Sequence, residues 1–220
     1  MSASIIASPQ SGKNKHRLGW AVMTVFAFLT AIYTLIFLFG NPPGDPVVKQ
    51  KMLSSPLGYI HVLGGMLAMV IGPFQFLGAL RRRHVKLHRL LGSIYLTAVM
   101  LSALCAFQLT WGSLANIYGD VGFALLATAW LLTGIQAFRA IQARDFQSHR
   151  RWMIRNYSLT YAAVMLRWQL PVLILAGGVE PSLALSITGF SCWIPNLLFA
   201  EWWIRRGRNI PPVPRVAAVS

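Results

Sequence analysis

Residues 75–89 read QFLGALRRRHVKLHR, and residues 136–150 read QAFRAIQARDFQSHR. Laid over one another they share Gln75 with Gln136, Arg83 with Arg144, His88 with His149 and Arg89 with Arg150, one pattern repeated 61 positions on. In each copy a long apolar run gives way to a basic loop, a His-Arg pair follows, and a second apolar run begins. A unit repeated in this way predicts two equivalent helical hairpins. Their histidines would then stand at matching depths on different helices, facing each other across a pseudo-two-fold axis.

Working outward, the apolar runs decide the class. Hydrophobic residues make up 55% of the chain and charged residues 11%, against about 25% charged in soluble domains; the mean hydropathy is +0.55. Six stretches, Leu18–Phe39, Leu57–Leu80, Leu90–Leu109, Val121–Phe138, Trp152–Ala176 and Ser182–Ile204, are each about long enough to cross a hydrocarbon core roughly 30 Å thick as a helix. The expected fold is all-α, a polytopic membrane protein with six transmembrane helices. Spans two to five form a four-helix core (residues 57–176) of two repeated hairpins, and spans one and six are peripheral. The membrane domain covers 17–208. The polar stretch 1–16 and the proline-containing tail 209–220 are expected to be disordered.

Seventeen of the twenty Lys and Arg fall in Lys13–Arg17, Arg81–Arg89, Arg139–Arg155 and Arg205–Arg215. Six spans produce this alternation, and the excess of positive charge on one side puts both termini in the cytoplasm. The net charge of +15 therefore reads as topology and lipid contact, and no nucleic-acid motif accompanies it. The two cysteines, Cys105 and Cys192, lie inside spans and read as packing residues.

The five histidines are His16, His61, His84, His88 and His149. Two imidazoles on facing helices are the ligand set of a b-type haem held in a helical bundle, and His88 and His149 have that placement. Gly92 follows His88 by one turn, and Gly64 and Gly65 follow His61, where a porphyrin face needs small residues. Arg89, Arg150, Arg151 and Arg155 supply guanidinium groups for haem propionates. On a continuous helix Asp145 would orient the His149 ring. A single metal on His84, His88 and His149 is a lesser alternative.

The segments His61-Val-Leu-Gly-Gly, Gly72-Pro-Phe-Gln-Phe, His88-Arg-Leu-Leu-Gly and His149-Arg-Arg-Trp-Met-Ile-Arg resemble a family of uncharacterised bacterial membrane proteins classified only as a domain of unknown function. That resemblance implies a multi-pass protein of the bacterial inner membrane and brings no activity with it. More distantly, the layout is similar to cytochrome b561-type proteins, which carry electrons through two haems, each held by a histidine pair. The similarity implies His88 and His149 as the cytoplasmic pair and His61 as one member of an outer pair. Gly122 stands where the repeat would put the other member, so one haem, or none, is the carry-over.

Arg167 lies in the outer part of span five. With His61, Tyr59 and Gln169 it suggests an outer polar pocket for a quinone, an anion or a substrate carboxylate. Pro171, four residues on, is expected to loosen the helix there. Three functions follow as alternatives: a haem-binding electron-transfer protein, a small transporter working through Arg167 and His61, and a non-catalytic membrane scaffold. No zincin, phosphate-loop or dinucleotide motif is present.

Overall fold

Ten α-helices follow one another in a computed structural model that describes residues 9–40, 46–111 and 115–208. They are α1 (Pro9–Phe39), α2 (Pro46–Leu53), α3 (Pro56–Gln75), α4 (Gly78–Arg83), α5 (Val85–Thr110), α6 (Ile117–Gln142), α7 (Phe146–Thr160), α8 (Ala162–Pro171), α9 (Pro181–Ser191) and α10 (Ile194–Arg208). A π-helical turn, Val172–Ala176, follows α8 directly. Among the described residues six helical stretches are long and apolar enough to cross a membrane. The protein is an integral membrane protein.

The repeat appears in the helix starts. The caps Ser55 and Asn116 stand 61 residues apart and open α3 and α6. His84 and Asp145, again 61 apart, open α5 and α7. Asn116 Oδ1 accepts the amides of Tyr118 and Gly119 at 3.1 and 3.3 Å, and Asp145 Oδ1 accepts that of Ser148 at 2.9 Å. Each satisfies donors that a helix start leaves bare.

The helix ends differ between the copies. The second hairpin runs on to Gln142, while α3 stops at Gln75, short of the Leu80 expected from hydropathy. Pro73 is the cause. It has no N–H for the carbonyl of Met69 four residues back, and the Tyr157 hydroxyl donates to that carbonyl instead, at 3.4 Å. Trp20 Nε1 of α1 donates to the Pro73 carbonyl at 2.9 Å. Span five is interrupted at Tyr161 and, after Pro171, passes into the π-turn, so the expected loosening at Pro171 takes that form. Span six breaks at Cys192 and Trp193.

Four core helices close a ring, α3 against α5, α5 against α6, α6 against α7 and α7 against α3. The α1 helix lies outside it on α3 and α8, and the α9–α10 span packs on α6 and α7. Small residues set the closest approaches, as is usual between membrane helices. A Cβ on Gly64 would stand 3.0 Å from the Ala98 carbonyl oxygen of α5, and one on Gly122 would stand 2.8 Å from the Gly189 backbone of α9. On α1, Leu18, Val22, Val25, Leu29, Ile32 and Ile36 are exposed, and Ala27, Ala31 and Thr34 are buried. That is one lipid-facing stripe and one small-residue stripe at helical spacing.

Two expectations about the ends meet the structure differently. Helix α1 begins at Pro9, so residues 9–16 are helical where disorder was expected. Residues 1–8 and the tail 209–220 lie outside the described residues. Cys105 and Cys192 are free and buried, as packing residues are.

Candidate functional site

His88 is on the first turn of α5 and His149 on the first turn of α7, both at the basic end of the core and both half-buried. His88 stands seven residues before Tyr95 and His149 seven before Asn156, and the side chains of Tyr95 and Asn156 meet. The His149 Nδ1 lies 2.9 Å from the Ala137 carbonyl of α6. A carbonyl only accepts, so Nδ1 carries a proton, and in the neutral imidazole the lone pair is on Nε2. This is the state that a metal-binding imidazole needs, with its second nitrogen tied to the protein.

The His88 side is different. Its Nδ1 is buried without a hydrogen-bond partner, and so is the Gln75 Nε2. Gln75 is buried at the end of α3, and a Cβ placed on Gly92 would stand 3.2 Å from its Oε1. The Gln75 carboxamide therefore covers the space beside Gly92 that was expected to receive a porphyrin face. Two unsatisfied buried polar groups at one end of one core are costly unless something bonds to them.

The basic rim divides into committed and uncommitted arginines. Arg155 Nε and Nη2 donate to the two carboxylate oxygens of Glu201 on α10, the second at 3.0 Å, and its guanidinium lies 4.5 Å from the Trp152 ring centre. Arg151 Nη2 donates to Ser148 Oγ at 2.8 Å. Arg89 and Arg150 are exposed. Arg155 was expected among the propionate partners, and it is instead the clamp between α7 and α10.

Asp145 does not orient His149. It caps α7 from outside the helix, with φ −83° and ψ 82°, and its side chain accepts from Ser148. Its backbone carbonyl accepts the His149 amide at 2.9 Å. Hydrogen bonds from Ser148, hydroxyl first and amide second, hold its exposed carboxyl below the ordinary aspartate range. Among the described residues no three His, Cys, Asp or Glu side chains gather as a metal set, so His84, His88 and His149 do not form the three-ligand site.

Two turns inside the histidine pair lies a polar layer that the sequence patterns missed. The Tyr95 hydroxyl donates to Asn156 Oδ1 at 2.7 Å and contacts Thr160 Oγ1 at 3.0 Å. Asn156 Nδ2 donates to the Trp130 carbonyl at 2.8 Å and Thr133 Oγ1 at 2.9 Å. Trp130 Nε1 donates to Thr160 Oγ1 at 2.9 Å. All five residues are buried, and Asn156 lies about 15 Å along α7 from its start, near mid-membrane depth. The layer ties α5, α6 and α7 together and closes the core beneath the histidines. Its sequence trace is the offset of Tyr95 and Asn156, also 61.

At the opposite end the residues expected to form a pocket each make hydrogen bonds or contacts of their own. His61 Nδ1 is 3.1 Å from the Ser102 carbonyl, and Ser102 Oγ donates to the His61 carbonyl at 2.7 Å. His61 thus ties α3 to α5, and Gly64 serves the same seam. Gln169 pairs with Ser191 of α9, its Oε1 accepting from Ser191 Oγ at 2.8 Å. Tyr59 is exposed. Arg167 turns toward α1, where Nη2 is 3.5 Å from Thr34 Oγ1 and the guanidinium is 5.2 Å from the Tyr33 ring centre. Gly122, where a second outer ligand would stand, is packed against α9.

With these positions in hand, the comparison with protein families is informative. The model of the family "Predicted membrane protein (DUF2306)" matches residues 58–204, and the chain belongs to that family. No curated protein and no solved structure matches the chain. The matched span takes in nearly all of the four core helices and, Tyr33 and Thr34 of α1 apart, the residues of both polar ends discussed above.

Proposed function

We propose that this member of the predicted membrane protein family is a b-type haem protein of the bacterial inner membrane, with electron transfer as its function. His88 and His149 would hold the iron of one haem at the basic end of the core. The positive-inside rule makes that end cytoplasmic and puts both termini there. The observation that carries the reading is the His149 imidazole, whose Nδ1 donates to the Ala137 carbonyl and whose Nε2 is left for a ligand bond, with its repeat-equivalent His88 at the same end of the core.

The haem supplies a reversible one-electron carrier when bound. The protein's part is to hold and tune it. The Ala137 carbonyl fixes the His149 ring and raises its basicity as a ligand. The unpartnered Gln75 Nε2 and His88 Nδ1 are the groups whose bonding such a ligand would complete. Arg89 and Arg150, exposed on the first turns of α5 and α7, are the cations available to propionates, since Arg151 and Arg155 are engaged. The Tyr95–Asn156 layer excludes a haem from the middle of the core.

An outer haem has no support, because His61 is bonded into the α3–α5 seam and Gly122 into the α6–α9 seam. One haem near one face makes a small diffusible carrier, a membrane quinone for instance, the suitable partner class. The test is haem content. Protein purified from cells supplied with a haem precursor is expected to carry one haem b per chain by the pyridine haemochrome assay. A folded but colourless protein would overturn the proposal.

A further inference from the structure

Arg167 lies well inside span five, and among the described residues no carboxylate forms a salt bridge to it. Its Nη1 donates to the Ala163 carbonyl at 2.9 Å, one turn back on its own helix. Its Nη2 reaches Thr34 Oγ1 only at 3.5 Å, the outer limit of a hydrogen bond. Its Nε is buried and has no partner. The Tyr33 ring centre lies 5.2 Å from its guanidinium carbon. A carbonyl, a hydroxyl and a ring face carry no negative charge, and a cation held within a span ordinarily has an anion or a water-lined path beside it.

The unused edge has a particular shape. Nε–H and Nη2–H point the same way and form the side-on fork that grips two oxygens of a carboxylate or phosphate. Ala163 has taken the other edge. The Thr34 hydroxyl proton is engaged with the Thr30 carbonyl at 2.8 Å, so its oxygen faces Arg167 only as an acceptor, through a contact long enough for an anion oxygen to displace it. Thr34 stands five residues before the end of α1, roughly 8 Å from it. The fork is therefore about a turn and a half below the end opposite the basic rim, within reach of lipid head groups of that leaflet.

We infer that Arg167, with Tyr33 and Thr34 of α1, forms a binding site for a single oxyanion, phosphate or carboxylate, on the α1–α8 seam. It lies at the opposite end of the molecule from His88 and His149 and does not depend on the haem reading. Two sources carry that chemistry, an anionic lipid head group and a soluble anion, and the test separates them.

The full-length protein is delipidated in detergent and followed by native mass spectrometry during titration with phosphatidylglycerol, and with diacylglycerol as the phosphate-free control. Thermal stability is read in parallel against inorganic phosphate and succinate. The wild type is expected to hold one phosphatidylglycerol, with affinity falling on the order of tenfold in Arg167→Gln. Arg167→Lys is expected to fall between them, because it keeps the charge and loses the fork, and it serves should Arg167→Gln fail to fold. Stabilisation by phosphate or succinate that is lost in both variants, without lipid retention, makes the source soluble and upholds the site. Binding equal in wild type and both variants, or none to any probe, would overturn it and leave Arg167 a structural tie between α8 and α1.

Discussion

Tyr95 and Asn156 stand 61 residues apart, the offset of the sequence repeat, and their side chains meet, the Tyr95 hydroxyl donating to Asn156 Oδ1 at 2.7 Å. Equivalent positions of two repeated units touch only where the axis relating them passes between. The contact therefore marks the pseudo-two-fold axis of the core, on the diagonal from α5 to α7. The same diagonal carries His88 and His149 two turns nearer the basic end, so the meeting of the inner pair locates the outer one.

This layer is expected to stabilise the core measurably. Asn156→Ala removes one bond each from the Tyr95 hydroxyl, the Thr133 hydroxyl and the Trp130 carbonyl, and is expected to cost about 1–3 kcal/mol. Tyr95→Phe should cost less. A double-mutant cycle in a detergent unfolding assay should give a coupling of about 0.5–1.5 kcal/mol. Additive losses would mean that the two residues act separately.

Gly122 tests the α6–α9 seam. Its Cβ would fall 2.8 Å from the Gly189 carbonyl carbon and oxygen, both backbone atoms, which have no rotamer to escape into. Gly122→Ala is expected to push α9 away and destabilise by about 1–3 kcal/mol. Gly65→Ala is the control, since its nearest contact is Ser102 Oγ at 3.7 Å, and it should be close to neutral. Equal melting temperatures for the two variants would contradict the packing described.

Glu201→Gln should release Arg155 and loosen α10 from α7. The pair is well shielded, with side-chain exposures of 17% and 30%, and the loss is expected at about 0.5–1.5 kcal/mol with a reduced dependence on salt. Melting curves at low and high ionic strength measure both effects.

Asp145 predicts a pH dependence. Its folded pKa lies below the unfolded value because Ser148 bonds the ionised form. Its stabilisation is thus fully present above the unfolded value of about 4 and is lost as pH falls through the lower folded value. Asp145→Asn keeps a cap and removes the charge, so its deficit against wild type should be constant above about pH 5 and shrink toward pH 3. A deficit that grew on acidification would have the wrong sign.

How far the sequence foretold the molecule depends on the range of each interaction. The matched identities of the two copies marked both hairpins, and the caps Ser55/Asn116 and His84/Asp145 keep the same register. Tyr95 and Asn156 share that register and escaped notice because they are not identical residues, so matching by identity passes over a pair that matters by contact. Arg155 was assigned to a cofactor because its partner, Glu201, is 46 residues away and on the last helix. Asp145 was placed on a continuous helix that in fact begins one residue later. Gln75 carries the same lesson. Its part of the repeat was plain, but only the break at Pro73 leaves its amide beside Gly92 with an unsatisfied donor.

The central claim is that the two repeat-related histidines act as one ligand pair. The most direct measurement is the reduced-minus-oxidised absorption spectrum of the purified protein, recorded beside His88→Ala and His149→Ala. Sharp reduced bands in the wild type that disappear in each single variant, with folding retained, are the predicted result. Bands unchanged in either variant, or a folded wild type without them, would contradict the account.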